Sequence, residues 1–188
     1  MAEARTRKSE LTKAAILAAA RRLFAERGYQ GTSLRDVAAA ASIDVALVAR
    51  YFGGKDELFT RASDFDLALP DLAAVDPSRA GETLARHFLT VWEGPGGGGM
   101  IALIRSASSS DAAAATMRTV FETQVAPAVA KMLRRRGGVD RAAMVASQVL
   151  GLAVGRYILK LPALAQMDEE AVIRHLGGAI QAVLSDAA

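Results

Sequence analysis

Lys55 is a residue whose charge does not suit its place. It follows Gly53-Gly54, a pair that opens a helix, and precedes Asp56 and Glu57, the acidic first turn that a helix N-terminus favours. A cation there opposes the helix dipole. A bound phosphate would remove the conflict, because free N–H groups and the ammonium would converge on one anion. The alternative is a lysine solvated in a loop. Other chemistries have less to build on. There are two histidines and no cysteine, no cluster with metal-ligand spacing, and no serine in a strand-to-helix elbow, so neither an enzyme nor a metal or other cofactor is expected. Gly94-Pro95-Gly96-Gly97-Gly98-Gly99 lacks the Gly-Lys-Ser/Thr and the preceding strand of a phosphate loop, and reads as a flexible joint between helices.

The elements that must position Lys55 lie just before it. Ser33 and Asp36 have the spacing of a capping box, followed by Leu34, Val37, Ala38 and Ala41 three and four apart, which predicts a short amphipathic helix. Ser42-Ile43-Asp44 breaks that pattern, and Asp44 can cap a second helix from Val45 to Phe52. Ile43 and Val48 stand at the positions of a hydrophobic staple. Two helices across so short a turn make a helix-turn-helix, whose second helix can lie in a DNA major groove. Ahead of it, Thr12 to Arg27 is predicted to be a helix burying Ile16, Ala20, Leu23 and Phe24, with Gly28 as its C-cap.

Composition agrees with an all-α chain. Apolar residues make up 52% and aromatics 5% of 188 residues, so Ala, Leu and Val dominate, and alanine favours helices while β-branched and aromatic residues favour strands. The absence of cysteine excludes disulfides and fits a reducing, cytoplasmic setting. The polar, charged N-terminus has no apolar run of signal-peptide type, and the most apolar stretch, Ala142 to Leu159, is interrupted by Ser147, Gln148 and Arg156, so no membrane partner is expected. Charge is uneven: residues 1–61 hold eleven Lys and Arg against seven Asp and Glu, a net +4, and the remainder holds twelve against thirteen, a net −1. The basic excess sits with the helix-turn-helix, as duplex binding requires.

Further along, residues 1–11 form a basic arm carrying Arg5, Arg7 and Lys8, either a frayed terminus or an arm that orders on DNA. Helices are predicted from Lys55 to Phe65, from a cap at Ser78 to Trp92, from Met100 to Ser106, from Asp111 to Arg136 with a bend at Pro127, from a cap at Asp140 to Lys160, and from Asp168 to Leu184. Arg134-Arg135-Arg136 suits the dipole at a helix end rather than a nucleic-acid patch. Residues 68–77, with Pro70 and Pro77, are a connector where the domain boundary is placed. Ser147, Gly151 and Gly155 recur every four residues, and two glycines inside a helix need a reason such as the close approach of another helix. With the stripe of Val172, Leu176, Ile180 and Val183 they predict pairing of the last two helices with their copies in a two-fold homodimer. Phe65, Phe88, Trp92, Met100, Ile104 and Phe121 are candidates for an apolar ligand chamber, or simply core, and Arg105 or His87 could orient a polar group there.

The order Gly28-Tyr29, Thr32-Ser33, Asp36-Val37-Ala38, Ala41, Arg50-Tyr51-Phe52, Lys55 and Leu58-Phe59 resembles the DNA-binding domain of tetracycline-repressor-like (TetR) regulators. Arg86-His87-Phe88 with Trp92, Ser147 to Leu152 and Gly155-Arg156-Tyr157 are similar, less specifically, to the helical effector-binding domain of actinobacterial-type members. The resemblance implies an all-α protein of about nine helices, divided into a basic arm (1–11), a three-helix helix-turn-helix DNA-binding domain (12–59) and a helical effector-binding and dimerisation domain (60–188). It further implies a homodimeric transcription factor, usually a repressor, that binds a palindromic operator and leaves it when a small apolar or amphipathic effector enters. Implied DNA contacts are Thr32, Ser33, Val45, Ala46, Ala49, Arg50 and Tyr51, with Lys55 on phosphate. Three positions depart from the usual pattern: Ser42 stands where Gly is common, Asp44 where Ser is common, and Ala49 where a Tyr often meets the backbone. The competing expectation is a helical regulator that acts through protein partners instead of DNA.

Overall fold

A computed structural model describes residues 2–63, 66–94, 97–133 and 138–185, and among these there is no strand. The chain forms two compact units, one made of residues 1–65 with 98–117, the other of residues 66–97 with 118–188.

In the first unit, α1 (Ala2–Arg27), α2 (Leu34–Ala41), α3 (Val45–Phe52) and α4 (Lys55–Ala62) enclose one apolar cluster. Ile16, Leu23 and Phe24 of α1 meet Val37 of α2, Val48 of α3, and Leu58 and Phe59 of α4. Phe24 and Phe59 pack edge to face with ring centres 4.9 Å apart. The unit also takes in α6 (Gly97–Ala107) and the start of α7 (Asp111–Val120), because Leu103 and Ala113 are buried in the same cluster. Ser106 accepts the Tyr29 backbone N–H at 3.0 Å and so fastens the turn after α1. Three terms built from nearby residues shape the helix-turn-helix: the Ser33–Asp36 capping box, the Asp44 cap of α3, and Ile43 packed at the cluster edge beside buried Val48. Ser42 ends α2 at φ 55°, ψ 43°, the left-handed region that glycine enters without steric cost.

In the second unit, two short 3-10 turns (Leu72–Ala74 and Pro77–Arg79) lead into α5 (Ala80–Glu93), and the chain later forms α8 (Ala126–Leu133), α9 (Gly138–Ala153), α10 (Pro162–Ala165) and α11 (Glu169–Ser185). α11 packs against both α5 and α9, and α9 against α8. The α5–α11 crossing is a backbone contact: a Cβ on Gly81 would lie 2.2 Å from the Gly177 carbonyl oxygen. Gln181 holds the same crossing, accepting the Gly81 N–H at 2.9 Å and donating to the Pro77 carbonyl at 2.9 Å.

Several boundaries differ from the sequence reading. α1 begins at Ala2, so the expected arm is helical; Ala, Glu, Arg and Lys are good helix formers, and a Lys13–Glu10 pair and a Thr12 hydroxyl bonded to the Lys8 carbonyl continue the pattern outward. The glycine joint is partly helical, since α6 starts at Gly97, where a Cβ would meet the Trp92 carbonyl oxygen at 1.9 Å. Asp76, not Ser78, accepts the free N–H before α5. The bend ascribed to Pro127 is a π-helical turn at Phe121–Val125, one turn earlier, where widening relieves the clash and the missing donor that proline brings. A second π-turn, Val154–Ile158, follows α9, and the short α10 was not foreseen. Arg134-Arg135-Arg136 lies outside the described residues.

Candidate nucleic-acid interface

α3 presents two unlike faces. Val48 is 0% exposed in the cluster, while Val45 is 40% exposed and Ala46, Ala49 and Arg50 are exposed beside it. Asp44 accepts the Ala46 N–H at 2.7 Å, and Gly53 ends the helix at φ 76°. The outward face therefore carries small side chains and one guanidinium. Small side chains let a backbone come close to a base edge, and the guanidinium has the fork that matches guanine or phosphate.

Tyr51 occupies the rim rather than that face. Its ring is half-buried against the cluster, with the Arg50 guanidinium 5.5 Å from the ring centre. The Lys13 ammonium of α1 stands 5.7 Å from the same ring, and the Ser9 hydroxyl donates to the Tyr51 phenol oxygen at 3.3 Å. That donated bond, then the nearby Arg50 and Lys13 charges, hold the Tyr51 hydroxyl below the ordinary tyrosine range.

Lys55 sits in the first turn of α4 with its ammonium 4.2 Å from the centre of the Tyr29 ring. Such a cation–π contact contributes roughly 0.5–1 kcal/mol at an exposed site. Tyr29 in turn donates its hydroxyl to Asp56, and burial, then that bond and the Asp56 and Glu57 charges, push it up to about 12. The Gly54 N–H donates to Glu57 at 3.0 Å. The charge that opposes the helix dipole thus lies over an aromatic face, with Asp56 and Glu57 next along the same first turn.

Among the residues implied to contact DNA, Ser33 is exposed but engaged as the cap of α2. Its hydroxyl and N–H bonds hold the Asp36 carboxyl below the usual range. Thr32 requires a correction. It is 1% exposed, and its hydroxyl donates to the Leu23 and Gly28 carbonyls at 3.2 and 3.0 Å, closing the end of α1. Thr32 stands between the end of α1 and the Ser33 cap of α2, and its side chain turns inward to these two carbonyls rather than outward. Ser9, Lys13 and Tyr29 were missed as neighbours of the interface. Ser9 and Lys13 are one helical turn apart, a signal that appears only once α1 is known to extend to Ala2.

The proposed chamber residues are divided between the units. Phe88 and Trp92 are buried in the second unit, where Trp92 stacks on Tyr157 at 5.5 Å and Phe88 lies 6.1 Å from Tyr157. Phe121 is half-buried in the same unit, whereas Met100 and Ile104 belong to α6 of the first. Phe65 lies outside the described residues. His87 is bonded to the Leu67 carbonyl at 2.8 Å. Tyr157 donates to Glu93, and Arg156 bridges Glu93 to the Leu164 and Met167 carbonyls. Burial first, and then the Glu93 bond, raise the Tyr157 hydroxyl well above the ordinary range. Among the described residues, two surface clefts of about 410 and 440 Å³ lie beside Arg86, bordered by Glu82, Glu93 and Glu169 among others, and no chamber candidate lines either of them.

The small-residue row of α9 is likewise divided. Ser147 and Gly151 are exposed, with nothing within 4 Å of a Cβ placed on Gly151, but Gly155 is buried under Leu164 of the same chain. Val172, Leu176 and Ile180 are buried within the single chain and Val183 is half-buried, because α5 and α9 already cover that stripe. The predicted pairing of copies therefore draws no support from this stripe, which a single chain already covers. No helix of the described residues is long and apolar enough to cross a membrane.

Comparison with known proteins identifies the family. Residues 16–62 match the family model described as bacterial regulatory proteins, tetR family, and residues 78–184 match that of the tetracyclin repressor-like C-terminal domain. A TetR-family regulator of Streptomyces coelicolor is 34% identical, covering 93% of this chain and 95% of that one, with a TM-score of 0.58. A transcriptional regulator of a Rhodococcus species is 27% identical over 92% of this chain and 95% of its own, with a TM-score of 0.71. A helix-turn-helix transcriptional repressor of Mycobacterium tuberculosis is 55% identical over 49 residues, a match that spans only 26% of each chain. With both halves matched and a relative alike over nearly its whole length, the chain belongs to the TetR family.

Proposed function

We propose that this protein is a cytoplasmic, ligand-responsive transcriptional repressor that binds a palindromic operator as a homodimer. The observation that carries this reading is α3, with Val48 sealed in the core and Val45, Ala46, Ala49 and Arg50 turned outward. Arg50 reads base edges, Ser33 and Tyr51 meet the backbone at the rim, and Lys55 meets a phosphate at the start of α4. The repressor sign follows the mycobacterial relative, which is described as a repressor. Two copies pair through the outer faces of α9 and α11, with Ser147 and Gly151 at the contact, while Val172, Leu176, Ile180 and Val183 support those helices from within. A two-fold dimer sets the half-sites about 34–36 Å apart, one turn of B-DNA.

An apolar or amphipathic effector is taken up in the second unit near Phe88, Trp92 and Phe121, and Trp92 is the only tryptophan. Its fluorescence should respond to such a molecule, and the same molecule should release DNA. The test is selection of bound fragments from the native genome followed by footprinting. Protection of an inverted repeat by a dimer is expected. A stable monomer at micromolar concentration would remove the dimer. Failure to bind any duplex at low salt would turn the reading towards a regulator that acts on protein partners.

A further inference from the structure

We propose that Ser9 is a positioning residue of the DNA interface: it holds the Tyr51 hydroxyl so that the phenol proton faces a DNA phosphate, and the first turns of α1 thereby join the binding surface. This rests on the DNA-binding reading above. Ser9 and Tyr51 are 42 residues apart, yet their hydroxyls lie within 3.3 Å, and Lys13 stands 5.7 Å from the centre of the Tyr51 ring from the same side of α1. A hydroxyl offers one proton and two lone pairs, so when Ser9 donates to the phenol oxygen, the Tyr51 proton is left for an outside acceptor.

The surroundings favour an anion as that acceptor. Arg50 lies 5.5 Å from the Tyr51 ring centre, and Arg7 and Lys8 are exposed on the same helical extension. Glu10 is engaged by Lys13 at 2.9 Å, which masks a carboxylate near the contact. Tyr51 itself cannot swing freely, because its ring is packed on the apolar cluster. Position is therefore set twice, by the ring packed against the edge of the cluster and by the hydroxyl on Ser9. This also offers a replacement for the backbone contact that Ala49, in place of a tyrosine, does not make.

A phosphate contact does not depend on sequence, so a mixed-sequence duplex of about 24 base pairs at low salt serves as the probe. Ser9→Ala should weaken binding about 3- to 10-fold, the range of one hydrogen bond. In a Tyr51→Phe background the same substitution should change nothing further, since there is no hydroxyl left to orient. Ser9→Thr should restore binding. An equal loss from Ser9→Ala in both backgrounds would show that Ser9 acts only on helix stability and would overturn the proposal, as would no loss at all. If the unaltered protein binds no duplex, the DNA-binding reading itself fails, which is a separate result.

Discussion

The helix-turn-helix and the α5–α11 crossing are held together by contacts of opposite range. In the first, Ser33 caps through Asp36 three residues on, and Asp44 through Ala46 two residues on. In the second, Gly81 bonds Gln181 across 100 residues and Gln181 bonds Pro77 across 104, and elsewhere in the same unit Arg156 bonds Glu93 across 63. The turn that presents α3 is capped by residues two and three positions apart, although α3 itself is seated by Val48 in a cluster drawn from α1, α2 and α4. A part that must enclose a core depends on residues that acquire meaning only when the chain has folded.

The α5–α11 crossing is most sensitive at Gly81. Gly81→Ala places a Cβ 2.2 Å from the Gly177 carbonyl oxygen and 2.8 Å from the Gln181 nitrogen, so the helices must part. A loss of about 2–3 kcal/mol is expected in chemical unfolding. Gly151→Ala, with nothing within 4 Å, should instead raise protomer stability by up to about 1 kcal/mol. Sedimentation of that variant then reports whether the open face is where two copies meet, because a Cβ there would weaken a close dimer contact.

Arg156→Met is the next in size. The Arg156 side chain is 10% exposed and serves two carbonyls and Glu93, so its loss leaves all three short of a donor. Glu93 keeps 36% of its surface in water, which lowers the cost below that of a fully buried pair, to about 2 kcal/mol by thermal unfolding. Local changes should be smaller. Ser33→Ala removes the α2 cap at about 1 kcal/mol. Because Asp36 is held below its ordinary 3.8 in the folded chain, the capping box contributes fully above that pH and is lost as pH falls through the lower folded value. Stability measured between pH 5 and pH 2 should therefore fall more steeply in the parent than in Ser33→Ala. Ser42→Gly is the smallest, a gain of up to about 1 kcal/mol from relieving the left-handed φ of 55°.

The same contrast explains what could be read in advance. The spacing of Ser33, Asp36, Asp44 and Val48 gave the α2–α3 turn because each signal acts within four residues. Thr32 misled because its position matches a family pattern while its hydroxyl answers to the carbonyls of α1. Gly81 and Gly177 meet without any periodic signal in the sequence, whereas Ser147, Gly151 and Gly155 recur regularly: regular spacing shows that a face is small, but not what covers it. Of those three, one is buried under Leu164 and two are open. Ser9 against Tyr51 had no signal within either segment.

On this reading the outward face of α3 recognises the duplex sequence, whereas Lys55 only grips the backbone. Competition between selected operator and random duplex across a salt series tests this with Arg50→Ala and Lys55→Ala. Arg50→Ala should cut the specific-to-random ratio, by a factor corresponding to about 1–3 kcal/mol, whereas Lys55→Ala should weaken both duplexes alike and flatten the salt slope by about one. The reverse ordering, or two variants that bind as the parent does, would contradict the account.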